Sequence, residues 1–249
     1  ADYLGIRPRF TENNRTGGSA FHSHVIVASL MLEAGLCDTA LVMYGSNQRT
    51  ASGGLVSMRL PSPYEAPYKP LTPLSSYALA AARHMHEYGT TSEQLAWVKV
   101  AASHHAQYNE HAMLRDVVTV EDVVNSPMMS DPLHRLDCCV VSDGGGAVVL
   151  ARPEIARTLN KPIVNLLGAG SAIKALNGGK IDVTYTAANV SGPMAFAEAG
   201  VTPADIQYAS IYDSFTITVL MQLEDLGFCR KGEGGRFVAD GNLISGVGK

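Results

Sequence analysis

The sequence has too few cysteines, at the wrong spacing, for a disulfide framework or a CxxC zinc site. Its four cysteines, Cys37, Cys138, Cys139 and Cys229, are interpreted as buried free thiols. Basic residues are not in excess, since 19 Lys and Arg stand against 23 Asp and Glu, so a nucleic-acid-binding face is not expected. The chain also lacks an apolar run of the roughly 18–20 residues that span a membrane, and it lacks a secretory leader, which predicts a soluble cytoplasmic protein.

What is present is enough apolar sequence, 46% of 249 residues, to build a substantial core in one or two domains. Residues 20–35 are apolar on nearly every side and predict a helix buried between layers. The segment "TALVMYGSN" (39–47) then predicts a buried parallel strand, which begins an α/β alternation. Because the chain starts without Met in a strand-like segment and stops in a Gly-rich loop, we expect it to be incomplete at both ends.

The middle of the chain has a different composition. Five prolines in "RLPSPYEAPYKPLTPLSSY" exclude long regular structure there. Two helical patterns follow, at 76–89 and 92–109, and Thr90 with Glu93 has the spacing of a capping box for the second helix. We therefore predict a helical loop excursion over residues 51–136, lying over the sheet.

The α/β alternation returns at "GGGAVVLA" (144–151), where a strand is predicted. Further strands are expected in 161–173 and 208–215, and helices in 187–200 and 216–229. A polar turn, a buried helix and a terminating glycine recur in both parts of the chain. The prediction is an α/β protein of two βαβ-type halves with buried central helices, with an N-terminal half at 1–157 and a truncated C-terminal half at 158–249.

Four segments in this order resemble the thiolase superfamily, in particular its sterol-carrier-protein-x and lipid-transfer-protein members. They are "NNRTGGSA" with the helix and strand that follow it, "LDCCVVSDGGGAVVLA", "AGVTPADIQYASIYDSFT" and "LEDLGFCRKGEGGRFV". The resemblance implies a thiolase-like fold and an enzyme that acts on coenzyme A thioesters. It also implies that the family's first strands and its last catalytic segment lie outside this sequence.

The chain departs from the family pattern at the position of the nucleophile. A thiolase needs a cysteine thiolate at a helix N-terminus, and that cysteine aligns here with Arg15. The relatives carry His before Asp in the third segment, whereas this chain has Tyr212 before Asp213. Tyr212 is interpreted either as a proton-transfer residue or as a strand-end tyrosine whose hydroxyl is satisfied by Asp213.

Thiolase-like proteins of steroid side-chain degradation that lack the cysteine and carry Tyr-Asp cleave a β-hydroxyacyl-CoA by a retro-aldol reaction, which needs no nucleophile. The resemblance therefore implies retro-aldol cleavage, with Tyr212 transferring a proton and Asp213 orienting it. Arg15 is expected either to help hold the enolate charge or to form a salt bridge that stabilises the turn. The other expected substrate or oxyanion residues are Asn14, Ser19 and Gly145, although close strand–helix packing is an alternative reason for the glycines.

Two other functions stay open at this point: a thiolase-like acyltransferase of the acetyl-CoA acetyltransferase type, and a non-catalytic thiolase-like subunit of a complex. No metal site is predicted, because the histidines do not have metal-ligand spacing. No bound cofactor is expected, coenzyme A thioesters being substrates. The resemblance implies a homodimer that works in lipid metabolism with a small OB-fold, zinc-ribbon partner protein.

Overall fold

The computed structural model describes residues 2–14, 16–51, 62–174 and 181–246. In order, the helices and strands are α1 (Ala20–Glu33), β1 (Thr39–Ser46), α2 (Gln48–Ala51), α3 (Leu74–Tyr88), α4 (Ser92–Ala106), α5 (Val120–Val124), β2 (Met128–Ser130), β3 (Leu133–His134), β4 (Gly144–Ala151), α6 (Pro153–Ala156), α7 (Ala188–Ala199), α8 (Thr216–Asp225) and α9 (Gly234–Val238). Among the described residues, no helix combines the length and apolarity needed to cross a membrane.

Contacts divide the chain into two compact units. The first is formed by Ala1–Ser57 and Val141–Leu167, and the second by Met58–Val140 and Gly168–Lys249. The predicted boundary between an N-terminal half (1–157) and a C-terminal half (158–249), and the excursion at 51–136, stay predictions.

The first unit is built on an antiparallel pair of strands. β1 pairs with β4 in a continuous register that runs from Thr39 opposite Ala151 to Ser46 opposite Gly144. The predicted strand at 39–47 is therefore confirmed, but its predicted parallel pairing and its predicted burial were wrong, since no residue of β1 is buried. Its partner lies about a hundred residues further along the chain, and periodicity within one segment does not reveal the direction of a distant strand.

Helix α1 packs against β1 and β4. Its buried residues are Ala20, Ala28 and Leu32, whereas Leu30 is 58% exposed. The expectation of a helix buried on all sides was therefore wrong for this chain. An apolar sequence shows that a helix can be buried on every side, but packing on one sheet buries only the face that touches it.

The second unit is centred on α8. Nearly all of its residues are buried, and α3, α4, α7 and α9 contact it. Its apolar core includes Leu95 of α4, Leu133 of β3, and Ile217 and Leu220 of α8. This confirms the prediction of a buried helix that begins just after "IYDSF".

Helices α3, α4 and α7 were predicted close to their observed bounds, and both α3 and α7 end at a glycine with positive φ. The capping box of α4 lies one residue later than expected. Thr91 accepts a hydrogen bond from the Gln94 amide at 3.3 Å, and the Gln94 side chain accepts one from the Thr91 amide at 3.1 Å.

The strands predicted at 161–173 and 208–215 were wrong as strands. The described residues there form no ladder, apart from one isolated bridge between Cys138 and Phe215. Gly168 and Gly170 instead approach the backbone of α7 so closely that a Cβ at either position would collide with it. A strand needs a hydrogen-bonding neighbour as well as a suitable sequence, and these segments have other contacts.

Candidate functional site

Tyr212 and Asp213 lie in the extended segment that leads into α8 of the second unit. Helix α8 starts at Thr216 because Phe215 keeps an extended backbone, with φ −149° and ψ 159°. On the other side of the segment, the Cys139 amide donates a hydrogen bond to the Ser214 carbonyl at 3.1 Å. The residue that follows the predicted catalytic pair, Ser214, is thus hydrogen-bonded to Cys139, which is distant in sequence.

The residues just after the pair are buried and joined by hydrogen bonds. The hydroxyls of Ser214 and Thr218 are 2.9 Å apart. The Thr216 hydroxyl donates to Asp137 Oδ1 at 2.8 Å. These bonds fix the start of α8, whereas the Tyr212 side chain itself is mostly exposed.

Although the side chain is 58% exposed, its partial burial raises the pKa of the Tyr212 hydroxyl above its ordinary value of 10.0, and the nearby groups of Cys139, Tyr77 and Asp213 add to that rise. Among the described residues, no hydrogen bond joins this hydroxyl to Asp213. The alternative interpretation, a strand-end tyrosine satisfied by Asp213, is therefore not what the structure shows. Because its pKa is raised, the Tyr212 hydroxyl keeps its proton at neutral pH.

The residues predicted to hold substrate lie in the first unit, and Arg15 is outside the described residues. Asn14 Oδ1 accepts a hydrogen bond from the Thr16 hydroxyl at 3.0 Å, so its side chain shapes the turn before α1. Ser19 is the N-cap of α1, but its hydroxyl makes no capping bond; its carbonyl accepts from the Ser23 hydroxyl at 3.3 Å. Ser19 therefore lies at a helix N-terminus, where anions are stabilised.

Gly145 lies in β4. It packs closely against another element, as predicted, but that element is strand β1 and not a helix. A Cβ at this position would lie 2.7 Å from the Tyr44 carbonyl oxygen of β1. Gly145 also lines a cavity of about 640 Å³ within the first unit. The other lining residues come from α1, β1, β4 and their flanks: Phe21, His22, Val25, Val42, Met43, Tyr44, Ser46, Gln48, Ser142, Gly144, Gly146, Ala147 and Val148.

The four cysteines are less buried than expected. Cys139 is exposed, and the other three are partly buried. Burial raises the pKa of Cys138 to about 11 and that of Cys229 to about 12. Burial also raises the pKa of Cys139, and the negative charge of Asp213 adds to the effect. These three thiols are therefore protonated at neutral pH and are poor nucleophiles.

Two polar features of the second unit were missed by sequence reasoning. Gln222 of α8 donates a hydrogen bond to the Tyr212 carbonyl at 2.9 Å. The sequence clue to this contact was a polar residue within an otherwise apolar helix. His84 is fully buried and lies 3.1 Å from Glu224, 140 positions away. Within the described ranges, no three His, Cys, Asp or Glu side chains are grouped so that they could hold a metal ion.

Comparisons with known proteins show which proteins this chain resembles. Residues 170–249 match the family model described as thiolase C-terminal domain-like. The chain is 35% identical over 251 residues to a steroid side-chain-cleaving aldolase of Thermomonospora curvata, covering 92% of this chain and 63% of the relative. It is 44% identical over 170 residues to an acetyl-CoA acetyltransferase of Methanothermobacter thermautotrophicus, covering 67% of this chain and 44% of the relative.

A solved structure described as an Ltp2-ChsH2(DUF35) aldolase superposes with a TM-score of 0.81 at 36% identity, covering 91% of this chain and 61% of that one. The chain is therefore similar to members of the thiolase superfamily, and the thiolase-like α/β fold predicted from the sequence is confirmed. Within the superfamily, the predicted likeness to sterol-carrier and lipid-transfer members is confirmed as well. The chain spans less than two thirds of the length of these relatives.

Proposed function

We propose that the protein cleaves the Cα–Cβ bond of a β-hydroxyacyl-CoA by a retro-aldol reaction, as an enzyme of lipid or steroid side-chain degradation. The observation that carries the proposal is Tyr212, a partly exposed hydroxyl with a raised pKa, held next to Asp213 at the start of the buried helix α8. The similarity to a steroid side-chain-cleaving aldolase over 92% of this chain supports it.

The reaction requires two proton movements and no covalent intermediate. A base takes the β-hydroxyl proton, the oxygen electrons form the carbonyl of the leaving ketone or aldehyde, and the Cα–Cβ electrons enter the thioester as an enolate. Tyr212 donates its hydroxyl proton to the enolate α-carbon, which completes an acyl-CoA. The proton taken from the substrate then returns to Tyr212 through solvent, which reaches this half-exposed side chain.

The enolate oxygen needs hydrogen-bond donors or a cation. For that role we propose Ser19, the N-cap of α1, with Asn14 and Arg15 from the preceding sequence, and Gly145 of β4. Asp213 is proposed to orient the Tyr212 hydroxyl when substrate is bound. No cofactor is needed for these steps, since coenzyme A enters as part of the substrate.

An acyltransferase is the second candidate, favoured by the 44% identity to an acetyl-CoA acetyltransferase. That chemistry needs a thiolate, and the family position is Arg15 in this sequence. The protonated thiols of Cys138, Cys139 and Cys229 do not replace it. A non-catalytic subunit is the third candidate, and an intact Tyr212–Asp213 pair is not required for that function.

The partners are proposed from the relatives. The superposed structure is described as an Ltp2-ChsH2(DUF35) aldolase, so its description names a second protein beside Ltp2. This supports the proposal that the present chain also works with a partner protein. We propose a small OB-fold, zinc-ribbon protein in that role, together with an acyl-CoA substrate and a homodimeric assembly in the cytoplasm.

The test is cleavage of a panel of β-hydroxyacyl-CoA thioesters, with both products measured by mass spectrometry. The full-length protein, with its partner where one is found, is compared with the Tyr212→Phe and Tyr208→Phe variants. Tyr208 is a matched control because it lies four residues earlier and is 84% exposed. We expect Tyr212→Phe to lose about a hundredfold or more in kcat, the usual contribution of a general acid, and Tyr208→Phe to stay near wild type.

Two outcomes would contradict the proposal. Cleavage that survives in Tyr212→Phe would remove Tyr212 from the chemistry. Binding of coenzyme A esters without any cleavage by the wild type would favour the non-catalytic subunit.

A further inference from the structure

The side chain of Gln222 links helix α8 to the predicted catalytic segment. Its Nε2 donates to the Tyr212 carbonyl at 2.9 Å and to the Thr218 carbonyl, one turn earlier in the helix, at 3.1 Å. The two hydrogens of this amide group are thus both donated to carbonyl oxygens, which fixes the orientation of the Gln222 side chain. Gln222 is partly buried, in a helix whose neighbouring residues Met221 and Leu223 are core.

The acceptor of this bond is part of the peptide group that joins Tyr212 to Asp213. Because a peptide group is planar, holding its carbonyl oxygen sets the backbone dihedral angles on either side of it. Those angles determine the direction in which the Tyr212 and Asp213 side chains leave the backbone. A single hydrogen bond from α8 therefore orients both members of the pair.

The rest of the segment is held by other groups. Ser214 is fixed through its carbonyl by the Cys139 amide at 3.1 Å and through its hydroxyl by Thr218 at 2.9 Å. Loss of the Gln222 amide would leave these attachments intact and would release the Tyr212 peptide alone. The exposed Tyr212 carbonyl would then bond to water, so a large loss of stability is not expected.

We propose that Gln222 is a positioning residue that aims the Tyr212 hydroxyl and the Asp213 carboxylate for proton transfer. The inference rests on the proposed function, because it assigns Gln222 a role in the same reaction. It predicts that the amide hydrogens of Gln222, rather than the bulk of its side chain, are needed for catalysis.

Three variants of the whole protein separate these effects. Gln222→Met keeps the side-chain volume and removes the donor, whereas Gln222→Lys restores a donor of similar reach. Gln107→Met is the matched control, since Gln107 Nε2 also donates to a carbonyl one turn earlier, that of His104 at 2.9 Å, but without contact to Tyr212.

For Gln222→Met we expect kcat to fall about tenfold to a hundredfold, the usual effect of misplacing a reacting group by about 1 Å, with KM changed less than about twofold. The melting temperature should fall by no more than about 4 °C. Gln222→Lys should recover most of the lost kcat, and Gln107→Met should resemble the wild type. An unchanged kcat in Gln222→Met, or a loss that Gln222→Lys does not recover, would overturn the inference.

A second readout does not depend on turnover. In protein carrying ¹³Cζ-tyrosine, the Tyr212 resonance, assigned through Tyr212→Phe, reports the titration of its hydroxyl. The wild-type pKa should lie above the ordinary value of 10.0, and Gln222→Met should move it back toward that value. If the wild type cleaves no thioester, the proposed function fails, yet this shift still decides the inference: an unchanged Tyr212 titration in Gln222→Met would refute it.

Discussion

At the scale of single residues, the environment of Tyr212 favours one direction of the proton transfer that we propose for it. A tyrosine that acts as a base must ionise near neutral pH, and burial around this hydroxyl works against ionisation. The neighbouring carboxylate of Asp213 works in the same direction, since a phenolate beside it would be repelled. The resting state is therefore a protonated donor, suited to the second half of a retro-aldol reaction.

This environment predicts the pH dependence of cleavage. An essential acid with a raised pKa stays active until the pH passes that pKa, so kcat/KM should not fall between about pH 8 and pH 10 through loss of the Tyr212 proton. The decline should begin above pH 10, and it should be missing from the residual activity of Tyr212→Phe. The measurement is a kcat/KM profile for one cleaved thioester. A wild-type decline centred near pH 8 would show that another group is the acid.

The sequence predicted Tyr212 as a proton-transfer residue but could not predict the direction of its pKa shift. That shift depends first on burial and then on Cys139 and Tyr77, which lie 73 and 135 positions before Tyr212 and reach it only through tertiary contacts. The same limitation explains Cys139, which the composition predicted to be buried and which is exposed beside Asp213.

At the scale of elements, the three consecutive glycines of β4 differ in how much space a side chain would have. Gly145 faces the backbone of β1 so closely that a Cβ would lie 2.7 Å from the Tyr44 oxygen, whereas a Cβ on Gly144 or Gly146 would meet nothing within 4 Å. Real Cβ atoms do not approach a carbonyl oxygen that closely, so a larger residue at 145 must push the strands apart. The sequence "GGG" does not distinguish these positions.

Gly145→Ala should therefore weaken the pairing of β1 with β4, by about 1–3 kcal/mol, as overpacking usually does. Gly144→Ala is the matched control and should leave the pairing unchanged. Amide hydrogen exchange of Thr39–Ser46, followed by mass spectrometry, reports the pairing directly. We expect faster exchange in Gly145→Ala only; equal exchange rates in the two variants would show that the close approach is relieved without cost.

Helices were easier to predict than strands, for a physical reason. The bounds of α3, α4, α7 and α8 follow from local apolar periodicity, capping residues and terminating glycines, all within one segment. The direction of β1, and the absence of a ladder in the described part of 161–173, depend on whether a distant segment pairs with them. Residue identity carries little of that information.

At the scale of the whole molecule, a buried charged network holds the second unit together. Glu224 of α8 contacts His84 of α3 at 3.1 Å and Lys231 at 3.1 Å, and it accepts a hydrogen bond from the Gly234 amide at 2.8 Å. Lys231 also pairs with Asp225 at 2.6 Å. These contacts join two helices and the loop that leads into α9, so Glu224 acts as a structural centre of this unit.

The network predicts how stability depends on pH. Burial alone would raise the pKa of Glu224, but the hydrogen bond and charge of His84, the Gly234 amide and Lys231 together lower it below its ordinary value of 4.5. A carboxyl whose pKa is lowered by folding stabilises the fold above its unfolded pKa. That contribution is lost as the pH falls through the folded pKa, below about 4.5.

Glu224→Gln removes this titration, leaves His84 without its carboxylate, and leaves Lys231 paired with Asp225 alone. At pH 7 we expect the variant to be destabilised by about 3 kcal/mol, the usual cost of breaking a buried ion pair by removing one partner. The control is Glu110→Gln, because the Glu110 side chain is 83% exposed and an exposed pair contributes little. Urea denaturation followed by the fluorescence of Trp97, which packs against the core of this unit, measures both.

The decisive comparison is between pH 7 and pH 3.5. Protonation of Glu224 in the wild type removes the negative charge that the substitution to Gln has already removed. The difference in unfolding free energy between wild type and Glu224→Gln should therefore shrink as the pH falls below about 4.5. Glu110→Gln should match the wild type at both values. A difference that stays constant across this range would mean that Glu224 stabilises the unit through hydrogen bonds alone, and that its charge contributes nothing.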